Sequence, residues 1–172
     1  MPSNMSRERI LLMKAYGAEV VLHGDCYDDA YKKALEIAEN ENATFIHPYD
    51  DLEVMAGQGT IGLELLEQLP EVDAVVVPVG GGGLATGVSA LAKLLRPNVK
   101  VIGVEPAGAP CMKAAISNGG VIKLAEIDKF VDGAAVQQAG SFTYEVCKQV
   151  LDDIVVVPEG AVCTTIIHMY NK

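Results

Sequence analysis

The chain has 172 residues, room for one ordinary domain with a sizeable core; 50% of them are apolar, 5% are aromatic and none is Trp. Such an aliphatic, Ala-rich interior suits packed layers of helix and sheet. A formal net charge of -10, spread along the chain rather than gathered in a tail, argues against nucleic-acid and membrane-surface partners. No apolar run approaches the roughly 18 residues that span a bilayer. "MPSNMSRERILLMK" lacks the order of basic, apolar and small-residue regions that marks a signal peptide. Cys26, Cys111, Cys147 and Cys163 form no C-x-x-C pair, and His23, His47 and His168 are equally scattered, so no metal-ligand spacing emerges. The expectation is a soluble, cytoplasmic protein with reduced, mostly buried thiols.

Along the chain the pattern alternates. "SRERILLMKAY" predicts a helix capped by Ser6 and stopped at Gly17, and "AEVVLH" predicts a short strand. "DDAYKKALEIAENE" is helical, with Tyr31, Ala34, Leu35 and Ala38 on one apolar face. "ATFIH" reads as a strand, "HPYDD" as a turn, and "IGLELLEQL" as a helix, with "AGQGT" (Ala56–Thr60) at a helix start. "DAVVVPV" is a buried strand, "LATGVSALAKLL" a helix stopped at Pro97, and "VKVIGVE" the next strand. "CMKAAIS" looks helical, "GGVIKLAEIDKFVDGAAV" is rich in loop, and "SFTYEVCKQVL" is a helix. "DIVVVP" is a last strand before the helical "GAVCTTIIHMYNK". Strands alternating with helices imply an α/β fold built on a parallel sheet. A domain crossover falls at Pro48, which separates residues 1–47 from 48–172.

The chemistry concentrates in "VVVPVGGGGLATG". Ligands of open α/β sheets lie beyond the carboxyl ends of strands, where helix N-termini point, and Gly80–Gly83 occupy that position. Four residues without Cβ allow close approach and let several N–H groups aim at one anion. The helix that follows adds about 0.3–1 kcal/mol through its positive end. A phosphate cradle is the expectation, with a purely structural tight turn as the alternative. Gly80, Gly82 and Ala85 also match G-x-G-x-x-A, with Glu105 where a ribose-binding acid would sit, so a dinucleotide module is the alternative. Two strand–helix units precede the match, however, and four consecutive glycines exceed what that fingerprint needs.

"HPYDDLEVMAGQGTIGLELLEQLPEVDAVVVPVGGGGLATGVSALAKLLRPNVKVIGVEPAGAPCMKAA" closely resembles the threonine dehydratases (threonine ammonia-lyases) and the related serine racemases. "GAEVVLHGDCYDDAYKKALEIA" is similar to the same family, and "MPSNMSRERILLMKAYGAEVVL" to the cysteine synthases. The resemblance implies a three-layer α/β/α fold of the tryptophan synthase beta-like type, incomplete at both ends. It implies pyridoxal 5'-phosphate as cofactor, its phosphate held by the amides of Gly80, Gly81, Gly82, Gly83 and Leu84. It also implies β-elimination of water from L-threonine or L-serine, giving a 2-oxo acid and ammonia in the service of isoleucine biosynthesis.

Not every part of that family's machinery is here. The S-F-K-x-R-G-A segment with its Schiff-base lysine, the S-x-G-N-H-A-x-G substrate loop and the S-G-G-N segment do not occur among the 172 residues. Lys14, Lys32, Lys33, Lys93 and Lys148 fall on amphipathic helices and read as solvated charges. The chain is therefore expected to be a central fragment, inactive alone, with no catalytic residue of its own. Residues 1–47 would be part of a smaller substrate-gripping domain, and 48–172 part of the larger phosphate-binding one. Glu105 is placed by resemblance where relatives hold a monovalent or divalent cation; a plain strand-end carboxylate is the alternative, because Cys111 replaces a second carboxylate. Gly133, in "FVDGAAV", resembles the position beside the cofactor ring. Open apolar surface predicts association, and a homo-oligomer is expected.

Overall fold

Ser6 opens the first helix, α1 (Arg7–Ala15), its hydroxyl accepting the Arg9 N–H at 3.4 Å, and Gly17 ends that helix at φ +85°. The computed structural model describes residues Met1–Lys172 in two compact units, Met1–Ile46 and His47–Lys172.

In the first unit, α2 (Tyr27–Glu41) follows α1, and Asn42 closes it in the left-handed region at φ 52°. Tyr31 stacks on Tyr27 and meets Phe45 edge-on at 5.4 Å, which packs the segment after α2 back against it. Of the apolar face predicted on α2, Leu35 is 40% exposed. The two strands expected here do not form. Residues 18–23 and 43–47 carry no ladder. Residues 21–24 bond instead to the first three residues, through Met1 N to Val21 O, His23 N to Met1 O and Ser3 N to Gly24 O. A β-branched run specifies an extended backbone, but a strand also needs a neighbour in register.

The second unit begins with the His47–Asp51 turn and α3 (Leu52–Gln68). Asp51 caps that helix, its carboxylate accepting Glu53 N at 2.9 Å and Val54 N at 3.0 Å. The helix therefore starts nine residues before the predicted "IGLELLEQL", and "AGQGT" lies inside it. The glycines that looked like a helix start serve packing: Gly59 and Gly62 are buried against Gly87 and Val88 of α4 (Gly83–Leu95).

Three parallel strands follow in the order β1 (Ala74–Pro78), β2 (Lys100–Pro106), β3 (Asp153–Val157). The register pairs Val76 with Ile102 and Val104 with Val155. Because side chains alternate across a sheet, one face presents Val75, Val77, Val101, Glu105 and Ile154, all buried. It packs into a core with Ala85, Val88 and Ala92 of α4, Cys111, Met112 and Ala115 of α5 (Cys111–Asn118), and Tyr144 and Cys147 of α6 (Ser141–Val150). Full burial of such aliphatic side chains contributes about 1.5–3 kcal/mol each. The opposite face, which a three-layer arrangement would cover, leaves Val76 65% and Val155 43% exposed. The last helix, α7 (Glu159–Tyr170), buries no residue, and residues 119–140 form the irregular connection the sequence suggests. No helix is long and apolar enough to cross a membrane.

Candidate functional site

Past Pro78 the sheet ladder continues for one more bond, Val79 N to Val104 O at 2.8 Å, and the chain then turns through Gly80–Gly82 into α4. The carbonyls of this turn face the protein. Gly80 O accepts the Cys111 thiol at 3.3 Å. Gly81 O accepts Gly140 N at 3.1 Å and the Thr143 hydroxyl at 2.6 Å. Gly82 O accepts Thr86 N at 2.8 Å, the first bond of α4. In a trans peptide the C=O and the next residue's N–H point in opposite directions, so three anchored carbonyls turn the N–H groups of Gly81, Gly82 and Gly83 away from them. None of the amides of Gly80, Gly81, Gly82, Gly83 or Leu84 donates to a protein acceptor. A turn with every carbonyl satisfied and every amide free, at a helix N-terminus, is a nest for an anion.

The glycines are required on their protein side as well. A Cβ on Gly81 would lie 2.3 Å from the Tyr49 ring, and Gly82, at φ +101°, would place one 2.6 Å from Met112 Cε. Tyr49 belongs to the His47–Asp51 turn, which sequence patterning marks only as a turn. There His47 Nδ1 accepts the N–H of Asp50 at 2.9 Å and of Tyr49 at 3.3 Å, and burial holds its pKa below the usual histidine value. Asp50 in turn accepts three amides from the start of α6: Ser141 N at 2.8 Å, Phe142 N at 2.9 Å and Thr143 N at 3.2 Å. Asp50 and Thr143 escaped the sequence because their partners lie 62 to 93 residues away. No local pattern carries that information.

Glu105 is fully buried, and both its oxygens accept amides of α5, Met112 N and Lys113 N, each at 2.8 Å. Burial nonetheless raises its pKa above the ordinary carboxylate value. No three His, Cys, Asp or Glu side chains come together to hold a metal ion. Each Glu105 oxygen already holds one main-chain partner on α5. Neighbouring Cys111 has its pKa pushed up to about 12 by burial, so it stays a thiol and donates to Gly80 O. Because the folded state holds the Glu105 proton more tightly than the unfolded chain, stability contributed here falls as pH rises from about 4.5 through the folded pKa. Glu105→Gln should abolish that slope in thermal melts and, by turning an NH2 toward an amide donor, lower stability by about 1–3 kcal/mol.

Gly133 is exposed with open space at its Cα; its neighbour Ala134 makes the close approach, 3.0 Å from where a Gly80 Cβ would stand. No lysine nitrogen bonds to the glycine turn. Lys93, expected to be solvated, is tied to Val99 O at 2.8 Å and Asp152 at 2.7 Å, while Lys113 reaches Ile154 O. Lys148 pairs with Glu145 and lies over the Tyr144 ring.

A parallel α/β unit whose first strand runs into a turn of unpartnered amides at a helix N-terminus can receive an anion there. The model of the family described as pyridoxal-phosphate dependent enzymes matches residues 1–172. The chain belongs to that family. It is 46% identical to the biosynthetic L-threonine dehydratase of Halalkalibacterium halodurans, over all of this chain and 42% of that protein. Among solved structures it is similar to threonine deaminase isoform 2 from Solanum lycopersicum, with TM-score 0.91 and 40% identity over 99% of this chain and 50% of that one. Maize serine racemase matches with TM-score 0.89 and 31% identity, over 98% of this chain and 51% of its own. The chain thus spans less than half the length of the curated dehydratase.

Proposed function

We propose that the amides of Gly80, Gly81, Gly82, Gly83 and Leu84 hold the phosphate of pyridoxal 5'-phosphate, and that this chain is the phosphate-gripping portion of an L-threonine/L-serine ammonia-lyase. The observation that carries the assignment is the turn in which every carbonyl is engaged and five successive amides are not. When bound, pyridoxal phosphate supplies the electron sink that lets an amino acid lose its Cα proton and then its β-hydroxyl as water. The protein's part is anchoring and orientation. The nest neutralises the phosphate through main-chain donors, while Ala134 behind Gly80 and Tyr49 behind Gly81 leave no room for a side chain on either glycine. Residues 1–47 are assigned to the substrate-gripping domain and 48–172 to the cofactor domain, with Gly133 beside the ring.

No lysine of this chain is assigned the imine-forming role, so the 172 residues are expected to bind the cofactor's phosphate without turning over substrate. Glu105 is assigned to α5 rather than to a cation or a dinucleotide ribose. The likeness to serine racemase supports a second reading, in which the same cradle serves racemisation of serine. A cytoplasmic setting and self-association through the open apolar residues, Val76 and Val155 among them, belong to the same proposal.

Pyridoxine 5'-phosphate and pyridoxine lack the aldehyde and cannot react with stray lysines, so calorimetric titration with each isolates the phosphate's contribution. Several charge-assisted hydrogen bonds predict at least about 100-fold tighter binding of the phosphate ester. Equal affinities would sink the assignment, and displacement by NAD would favour the dinucleotide alternative.

A further inference from the structure

The proposed cradle is aimed by residues that do not touch the ligand. We infer that Asp50 and Thr143 are positioning residues that orient the Gly82 amide toward the phosphate; the inference rests on the cradle assignment above. The helix α6 has Gly140 as its N-cap and no capping side chain of its own. Asp50 takes that role from 91 to 93 residues earlier in the chain, satisfying three first-turn amides at once. Its seat is exclusive, since a Cβ on Gly140 would stand 2.3 Å from Asp50 Oδ1. The same first turn then holds the glycine loop: Gly140 N and the Thr143 hydroxyl both donate to Gly81 O.

Gly81 C=O and Gly82 N–H share one planar peptide, so fixing the oxygen inward fixes the hydrogen outward. Without the two donors that peptide can rotate, because glycine on both sides leaves the dihedrals loose. The path therefore runs from the Asp50 carboxylate to the α6 amides, from α6 to the Gly81 oxygen, and from that oxygen to the Gly82 N–H. Thr143 is fully buried and packs beside Gly82, which leaves its hydroxyl no solvent alternative to Gly81 O and Gly140 O. The Asp50 charge is matched by the positive end of α6 rather than by a lysine or arginine, so its effect is local.

The test titrates the 172-residue chain and its variants with pyridoxine 5'-phosphate and with pyridoxine, and records the ratio of affinities beside the melting temperature. Thr143→Val should cut the ratio by about 10-fold, the loss of one charge-assisted hydrogen bond. Thr143→Ser keeps the hydroxyl and should restore the ratio. Asp50→Ala should reduce it at least as much, with pyridoxine binding little changed. A wild-type chain that shows no preference for the phosphate ester overturns the cradle assignment, and this inference with it. A wild-type preference that survives unchanged in Thr143→Val and Asp50→Ala, with only the melting temperature falling, overturns the positioning role alone. Should Asp50→Ala fail to fold, the comparison of Thr143→Val with Thr143→Ser decides the matter.

Discussion

Gly82→Ala is expected to lower stability by about 2–6 kcal/mol and to remove the preference for a phosphorylated ligand. Two costs combine. At φ +101° an L side chain is strained, which costs on the order of 1–3 kcal/mol. The new Cβ would also meet Met112 Cε at 2.6 Å and Thr143 Cβ at 2.8 Å, an overpacking worth about 1–3 kcal/mol. Met112 ends in a flexible thioether and can yield, but Thr143 is held by its bonds to Gly81 O and Gly140 O. Relief must come from the loop itself, which carries the Gly82 and Gly83 amides off their common target. Urea denaturation measures the first effect and paired titration with pyridoxine 5'-phosphate and pyridoxine the second. Gly120→Ala serves as the control, since a Cβ there meets nothing within 4 Å and should change stability by less than about 0.5 kcal/mol. A Gly82→Ala protein as stable as the wild type, with intact phosphate preference, would show that the turn is not built as described.

The glycine turn was legible because its signal is local. A β-branched strand, a run without side chains and a helix start must be adjacent in sequence to build an amide nest, and here they span Val75 to Gly87. The same holds for α1, where Ser6 and Gly17 mark both ends, and for the α/β alternation of the second unit. What failed was whatever depends on a distant partner. "AEVVLH" and "ATFIH" have strand composition, yet no neighbour pairs with them. The start of α3 was misplaced because the glycines of "AGQGT" resemble breakers, while their smallness is spent against Gly87 and Val88. The α5 amides that both Glu105 oxygens accept were likewise out of reach of the sequence. The residues that aim the nest, Asp50 and Thr143, were invisible for the same reason.

That close helix contact carries the second large effect. Gly87→Ala is expected to cost about 3 kcal/mol, the upper end of what overpacking in a core produces. Its Cβ would stand 2.3 Å from Met55 O and 2.7 Å from Gly59 N, both main-chain atoms of α3. A side chain could swing aside, but a helix backbone moves only as a body, so α3 and α4 must part along their length. Parting them loosens Met55, Leu66 and Val88, which are nearly or fully buried at that crossing or in the core beneath it. Because α4 begins at Gly83, its displacement also shifts the amides of Gly83 and Leu84, and phosphate affinity should fall with stability. Gly57, on the same α3 but facing open space, makes the opposite prediction: Gly57→Ala should stabilise by about 0.5–1 kcal/mol through helix propensity alone. Urea midpoints of the two variants, measured against the wild type, should therefore move in opposite directions. If Gly87→Ala moves with Gly57→Ala, the two helices do not cross as closely as their glycines require.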